Sequence, residues 1–176
     1  MSCLRVLLVG TSHTYQYGAR AKRASKPCTR QQEEAFRALI RSDIQIRGVS
    51  AIAEEFNSEC LEEGQIDVSV LQSLAKELGV PHLFCELNRQ EREALGIKQE
   101  NDIRISNFFS GGSEADIQEC LRKQFREREV VWLQRLRGFG HSPVLYVCGA
   151  DHVRSFSALL SEAVIPVEVL HADWQA

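Results

Sequence analysis

Two short apolar runs, one near each end of the chain, both stop at Gly-x-x-His. Val6-Leu7-Leu8-Val9 leads into Gly10-Thr11-Ser12-His13, and Val144-Leu145-Tyr146-Val147-Cys148 leads into Gly149-Ala150-Asp151-His152. Short apolar runs of this kind read as strands. Glycine lets the chain turn sharply out of such a strand. Each His then sits just beyond the carboxyl end of its strand, the edge where open α/β sheets bind their ligands. Matching turns therefore predict that two imidazoles meet in one site.

Between these landmarks, strand and helix patterns alternate. Strands are expected at residues 4–9, 49–53, 81–85, 143–148 and 167–170. Thr29 with Gln32 reads as a capping box opening a helix over 30–41. A further helix, broken near Gly64, resumes over 68–78 and stops at Gly79. Asn88 caps a short helix through Leu95. Ser113 caps a long one over 113–137, whose buried side carries Ile117, Leu121, Phe125, Trp132, Leu133 and Leu136. Another helix spans 153–163. Residues 11–26 and 98–112 show no clear period and read as a long loop and a mobile excursion. The whole is an α/β fold with a mainly parallel sheet flanked by helices, and the 176 residues are expected to form one domain.

Right-handed crossovers bring the ends of successive parallel strands to the same side. The first strand delivers His13, the second Glu54 and Glu55, the third Glu86, and the fourth Asp151 and His152. Of the adjacent glutamates, Glu55 lies further past its strand and is the first choice to face the site, with Glu54 close behind. In the charge run Arg126-Glu127-Arg128-Glu129, Arg128 precedes Trp132 by one helical turn, so Arg128 is the arginine expected to turn toward the site. His82 and His141 precede strands and are expected at the opposite edge, whereas His171 follows the last strand.

Imidazole and carboxylate together suit a divalent ion of the Mn, Co, Zn or Fe type, and equally suit acid–base chemistry on water. The expectation is an ion held by His13, Glu55 and His152, with Glu54 or Glu86 as general base or orienting group and Arg128 as oxyanion stabiliser. The reaction would be metal-dependent hydrolysis of an ester, peptide or phosphoester in a small-molecule or peptide substrate. The competing expectation is a binding module for a small acidic or nucleotide-like ligand. The stretch from Arg20 to Arg30 is basic, and the segment 11–28 that contains much of it, with Tyr15, Gln16 and Tyr17, is expected to form a lid.

Net charge is −3, which leaves no electrostatic footprint for nucleic acid. No apolar run approaches the ~20 residues of a membrane span. The six cysteines form no Cys-x-x-Cys pair. With a start that runs directly into a strand, the expected compartment is the cytoplasm.

The ordered set of Gly10-Thr11-Ser12-His13, Ala51-Ile52-Ala53-Glu54-Glu55, Arg126 to Trp132 and Gly149-Ala150-Asp151-His152 resembles the erythromycin esterase/ChaN/TraB/Tiki superfamily. The resemblance implies an α/β fold with His13, Glu54 or Glu55, Arg128 and His152 around one cleft. It also implies hydrolysis, by metal-dependent proteolysis in the Tiki branch and by His and Glu activation of water in the esterase branch, or haem or iron association in ChaN-like members. The chain departs from the esterase pattern ahead of its first His, where Gly10 is followed by Thr11 and Ser12 rather than a glutamate.

Overall fold

The computed structural model describes residues 3–22 and 27–176. Five strands form one sheet: β1 (Val6–Thr11), β2 (Ala51–Glu54), β3 (His82–Phe84), β4 (Val144–Gly149) and β5 (Val167–Trp174). Their order is β3-β2-β4-β1-β5, and every pairing is parallel. The two Gly-x-x-His strands are thus central neighbours. Gly10 pairs in register with Cys148 and Thr11 with Gly149, so both turns leave the sheet side by side.

Eight helices surround the sheet among the described residues: α1 (His13–Tyr17), α2 (Arg30–Arg47), α3 (Ser58–Gly64), α4 (Val70–Leu78), α5 (Arg89–Leu95), α6 (Glu100–Ser110), α7 (Glu114–Phe139) and α8 (Ala150–Glu162). Alternate residues of the central strands feed two cores. Val6, Leu8, Ala53 and Tyr146 pack with Trp132 of α7 and Phe156 of α8, while Leu7, Val9, Ile52 and Val147 pack with Phe36 of α2 and Leu71 of α4. Burial on both faces is why these strands are apolar throughout.

Local signals set most helix ends. Thr29 and Gln32 form the expected capping box of α2, and Ser113 and Asp116 form one at α7. Gly79 closes α4 in the left-handed conformation. Gly10 is required for another reason. A Cβ there would lie 2.2 Å from the Ala172 carbonyl oxygen and 2.3 Å from a Val153 methyl, so only glycine lets β5 and α8 close on this turn.

The structure corrects four boundaries. Residues 98–112 are not an excursion, because α6 occupies most of them. It is held by Ile103 buried against its surroundings, by packing on α7, and by the Asn107 side chain donating to the Ser113 carbonyl. The segment after β1 begins with α1, capped by Ser12, with Tyr15 and Gln16 buried. Helix α2 continues to Arg47 before Gly48 ends it. Strand β5 runs on to Trp174, with register shifts absorbing its irregular pairing. Residues 23–26 of the expected lid and basic stretch lie outside the described residues. No helix among the described residues is long and apolar enough to cross a membrane.

Candidate functional site

A cavity of about 910 Å³ opens at the carboxyl edge of the sheet, over the neighbouring ends of β1 and β4. His13, Glu55, Glu86, Arg128 and His152 all line it. The backbone explains the choice between the two glutamates. Glu55 continues the ladder of β2, its N–H donating to the Val147 carbonyl at 2.8 Å, so the pleat sends Glu54 and Glu55 to opposite faces. Glu55 faces the cavity. Glu54 turns away and is fully buried beside Gln16, Ser69 and His82.

Arg128 is the electrostatic centre of the cavity wall. Its Nη2 donates to Glu55 Oε1 at 2.5 Å and to Glu86 Oε2 at 2.8 Å. Its Nε lies 3.3 Å from both Glu86 oxygens. Its Nη1 has a longer contact, 3.4 Å to His152 Nε2. Glu86 also accepts from Trp132 Nε1 at 3.1 Å. It is therefore a clamp that fixes Arg128 and Trp132. Burial works against the arginine's charge, but Glu55 and Glu86 outweigh it and raise its pKa further. Burial likewise pushes the Glu55 carboxyl upward, yet His13, Arg128, His152 and the Gly149 N–H together hold it below the usual carboxylate range. That N–H donates to Glu55 Oε2 at 2.8 Å.

His152 is held more tightly than any sequence signal suggested. Its Nδ1 donates to Glu129 Oε1 at 2.9 Å, and its ring lies between Phe125 and Trp132, with centroids 4.2 Å and 4.8 Å away. Glu129 is wholly buried, takes a second hydrogen bond from the Ser155 hydroxyl at 2.5 Å, and has no partner for its other oxygen among the described residues. In sequence Glu129 belongs to a mixed charge run that reads as a solvent-facing surface. The signal that finds it is its spacing: three residues before Trp132 and four before Leu133, it shares the buried flank of α7.

His13 faces the same carboxylate from the end of β1. Its Nδ1 lies 2.7 Å from Gln16 Oε1, and its Nε2 lies 3.7 Å from Glu55 Oε1. His152 Nε2 is 3.5 Å from that same oxygen. The other histidines serve elsewhere. His171 stands 3.3 Å from Asp43, and His141 packs on Phe139, neither at the cavity. His82, although at the amino end of β3, reaches Glu54 at 2.8 Å. Arg126 pairs with Glu162 on the outer side of α7.

The donors expected to hold a divalent ion, His13, Glu55 and His152, are thus brought to one place. As arranged they do not fit an ion, because the Arg128 guanidinium occupies the Glu55 oxygen they share. Among the described residues no group of three His, Cys, Asp or Glu side chains is spaced to hold a metal. No family model, curated protein or solved structure matches the chain.

Proposed function

We propose that this protein is a hydrolase in which His152, backed by Glu129, activates a water molecule for attack on an ester, peptide or phosphoester. The buried Glu129–His152 pair carries the reading. A carboxylate that accepts from Nδ1 leaves Nε2 as the bare acceptor and stabilises the imidazolium formed when Nε2 takes a proton. Glu129 meets that description, and His152, on the cavity wall, keeps Nε2 on the side of Arg128 Nη1 and Glu55 Oε1, at 3.4 and 3.5 Å. His13 Nε2 offers a second acceptor for the same water.

Charge developing on the substrate oxygen is met by Arg128 Nη1, whose one contact among the described residues is the long one to His152. The amino end of α8, which has no side-chain cap, lines the cavity through Ala150 and Asp151 and favours negative charge there. Glu86 acts through Arg128, by holding its plane.

Such chemistry agrees with what the resemblance to the erythromycin esterase/ChaN/TraB/Tiki superfamily implies, while Thr11 and Ser12 stand where the esterase pattern has a glutamate. Six free thiols support a cytoplasmic setting. A second reading, a divalent Mn, Co, Zn or Fe ion, draws on the approach of His13 Nε2 and His152 Nε2 to Glu55 Oε1, at 3.7 and 3.5 Å, but it requires Arg128 to leave that oxygen first.

A panel of esters, peptides and phosphoesters, assayed with chelator and with added metal, tests both. The proposal predicts chelator-resistant turnover, with Glu129→Gln lowering kcat about a hundredfold or more and leaving KM nearly unchanged. Turnover that requires a stoichiometric ion, found by elemental analysis, supports the second reading instead. Absence of turnover throughout the panel, with a ligand still bound, returns the cavity to a binding role.

A further inference from the structure

Glu54 and Gln16 have no part in the chemistry above, yet both are completely buried polar groups next to it. An amide side chain has a donor end and an acceptor end of the same shape, and its neighbours decide which way it points. The Gln16 amide nitrogen meets the Glu55 carbonyl at 3.4 Å, a group that can only accept, and Glu54 Oε2 at 3.0 Å. The opposite end, facing His13 Nδ1 at 2.7 Å, must therefore be the oxygen. An acceptor at that distance requires a proton on Nδ1. A neutral imidazole carries one proton, so Nε2 is left bare.

Glu54 is in turn pinned. Its Oε1 accepts from the Ser69 hydroxyl and lies 2.8 Å from His82 Nε2, so the carboxylate cannot rotate away from Gln16 without losing both contacts.

The geometry points to Glu54 as a positioning residue. Through Gln16, it fixes the ring proton of His13 on Nδ1 and keeps Nε2 an acceptor toward the cavity. Glu54 acts two bonds removed from the cavity and touches no reacting atom. The claim concerns the proton on His13 and stands apart from the hydrolase reading, since a bare Nε2 serves a metal or a bound ligand as well as a water.

The test is nitrogen NMR of histidine-labelled protein, above the pH at which the ring protonates, with the His13 signals assigned through His13→Gln. The wild-type protein should show His13 as the Nδ1–H form. Glu54→Leu removes the nearer of the two acceptors on the Gln16 amide, leaving only the longer contact to the Glu55 carbonyl, and Gln16→Leu removes the link itself. Both should shift His13 toward the Nε2–H form that an unconstrained histidine side chain prefers. Glu54→Gln can keep an oxygen toward Gln16 while its amide faces Ser69 and His82, so it should retain the wild-type form. If Glu54→Leu does not fold, the wild-type and Gln16→Leu spectra decide the Gln16 link and Glu54→Ala decides the Glu54 step, an unchanged His13 form in that variant overturning the claim. A wild-type His13 in the Nε2–H form overturns it, as does a His13 form unchanged in Gln16→Leu.

Discussion

Arg128 shows at the scale of one residue how a charged cluster can be both necessary and costly. Its guanidinium is largely buried, with its side chain 20% exposed, and it bridges two buried carboxylates. Removing one partner of such an assembly leaves the others uncompensated in a poorly solvated place. Arg128→Met should therefore lower stability by about 3–5 kcal/mol, read from urea unfolding. A loss below ~1 kcal/mol would mean that water screens Glu55 and Glu86. Glu55 gives a matching pH prediction. Its folded-state pKa is depressed, so its contribution is full above the ordinary glutamate value near ~4.3 and is lost as pH falls through the lower folded value. The unfolding midpoint should drop on acidification below about pH 4.3, and Glu55→Gln should flatten that limb while lowering stability at neutral pH. An acid limb as steep in the variant as in the wild type would assign it to other carboxylates.

At the scale of elements, what could be read from sequence was whatever carries its own local signal. The capping boxes at Thr29 and Ser113 and the glycine stop at Gly79 appear as expected, because each is a hydrogen bond or a backbone conformation made within a few residues. Helix α6 was missed because its stability comes from a partner. Its N-cap Gln99 makes no side-chain cap, and Ile103 is its one buried residue. The five-residue α1 is too short for periodicity to register. Of the two non-glycine residues with positive φ among the described residues, Gln65 and Val164, the β-branched one is the more strained: Val164, just past α8, has φ 58° and is 84% exposed. A β-branched residue in that conformation costs about 1–2 kcal/mol, and no packing would be lost on removing it. Val164→Gly should raise stability by about 1 kcal/mol. An unchanged or lowered midpoint would show that the turn carries no such strain.

For the whole molecule, the site is a product of strand order. The paired Gly-x-x-His turns were visible in the sequence because each is local. Their adjacency follows from β1 lying beside β4, a pairing across more than a hundred residues that no short motif encodes. The preference for Glu55 over Glu54 was legible from its place past β2, and the register of β2 on β4 is its physical ground. The Glu129 partner of His152 needed α7 and α8 packed together. The central claim is that the two turns build one functional unit around a shared carboxylate. A double-mutant cycle on kcat/KM, with His13→Ala, His152→Ala and the pair, tests it most directly on a substrate the panel turns over. Each single change should cost about a hundredfold or more, and the double variant should be little worse than the poorer single one, because both imidazoles act on the same water. Losses that simply multiply, or a single variant that turns over like the parent, would contradict it.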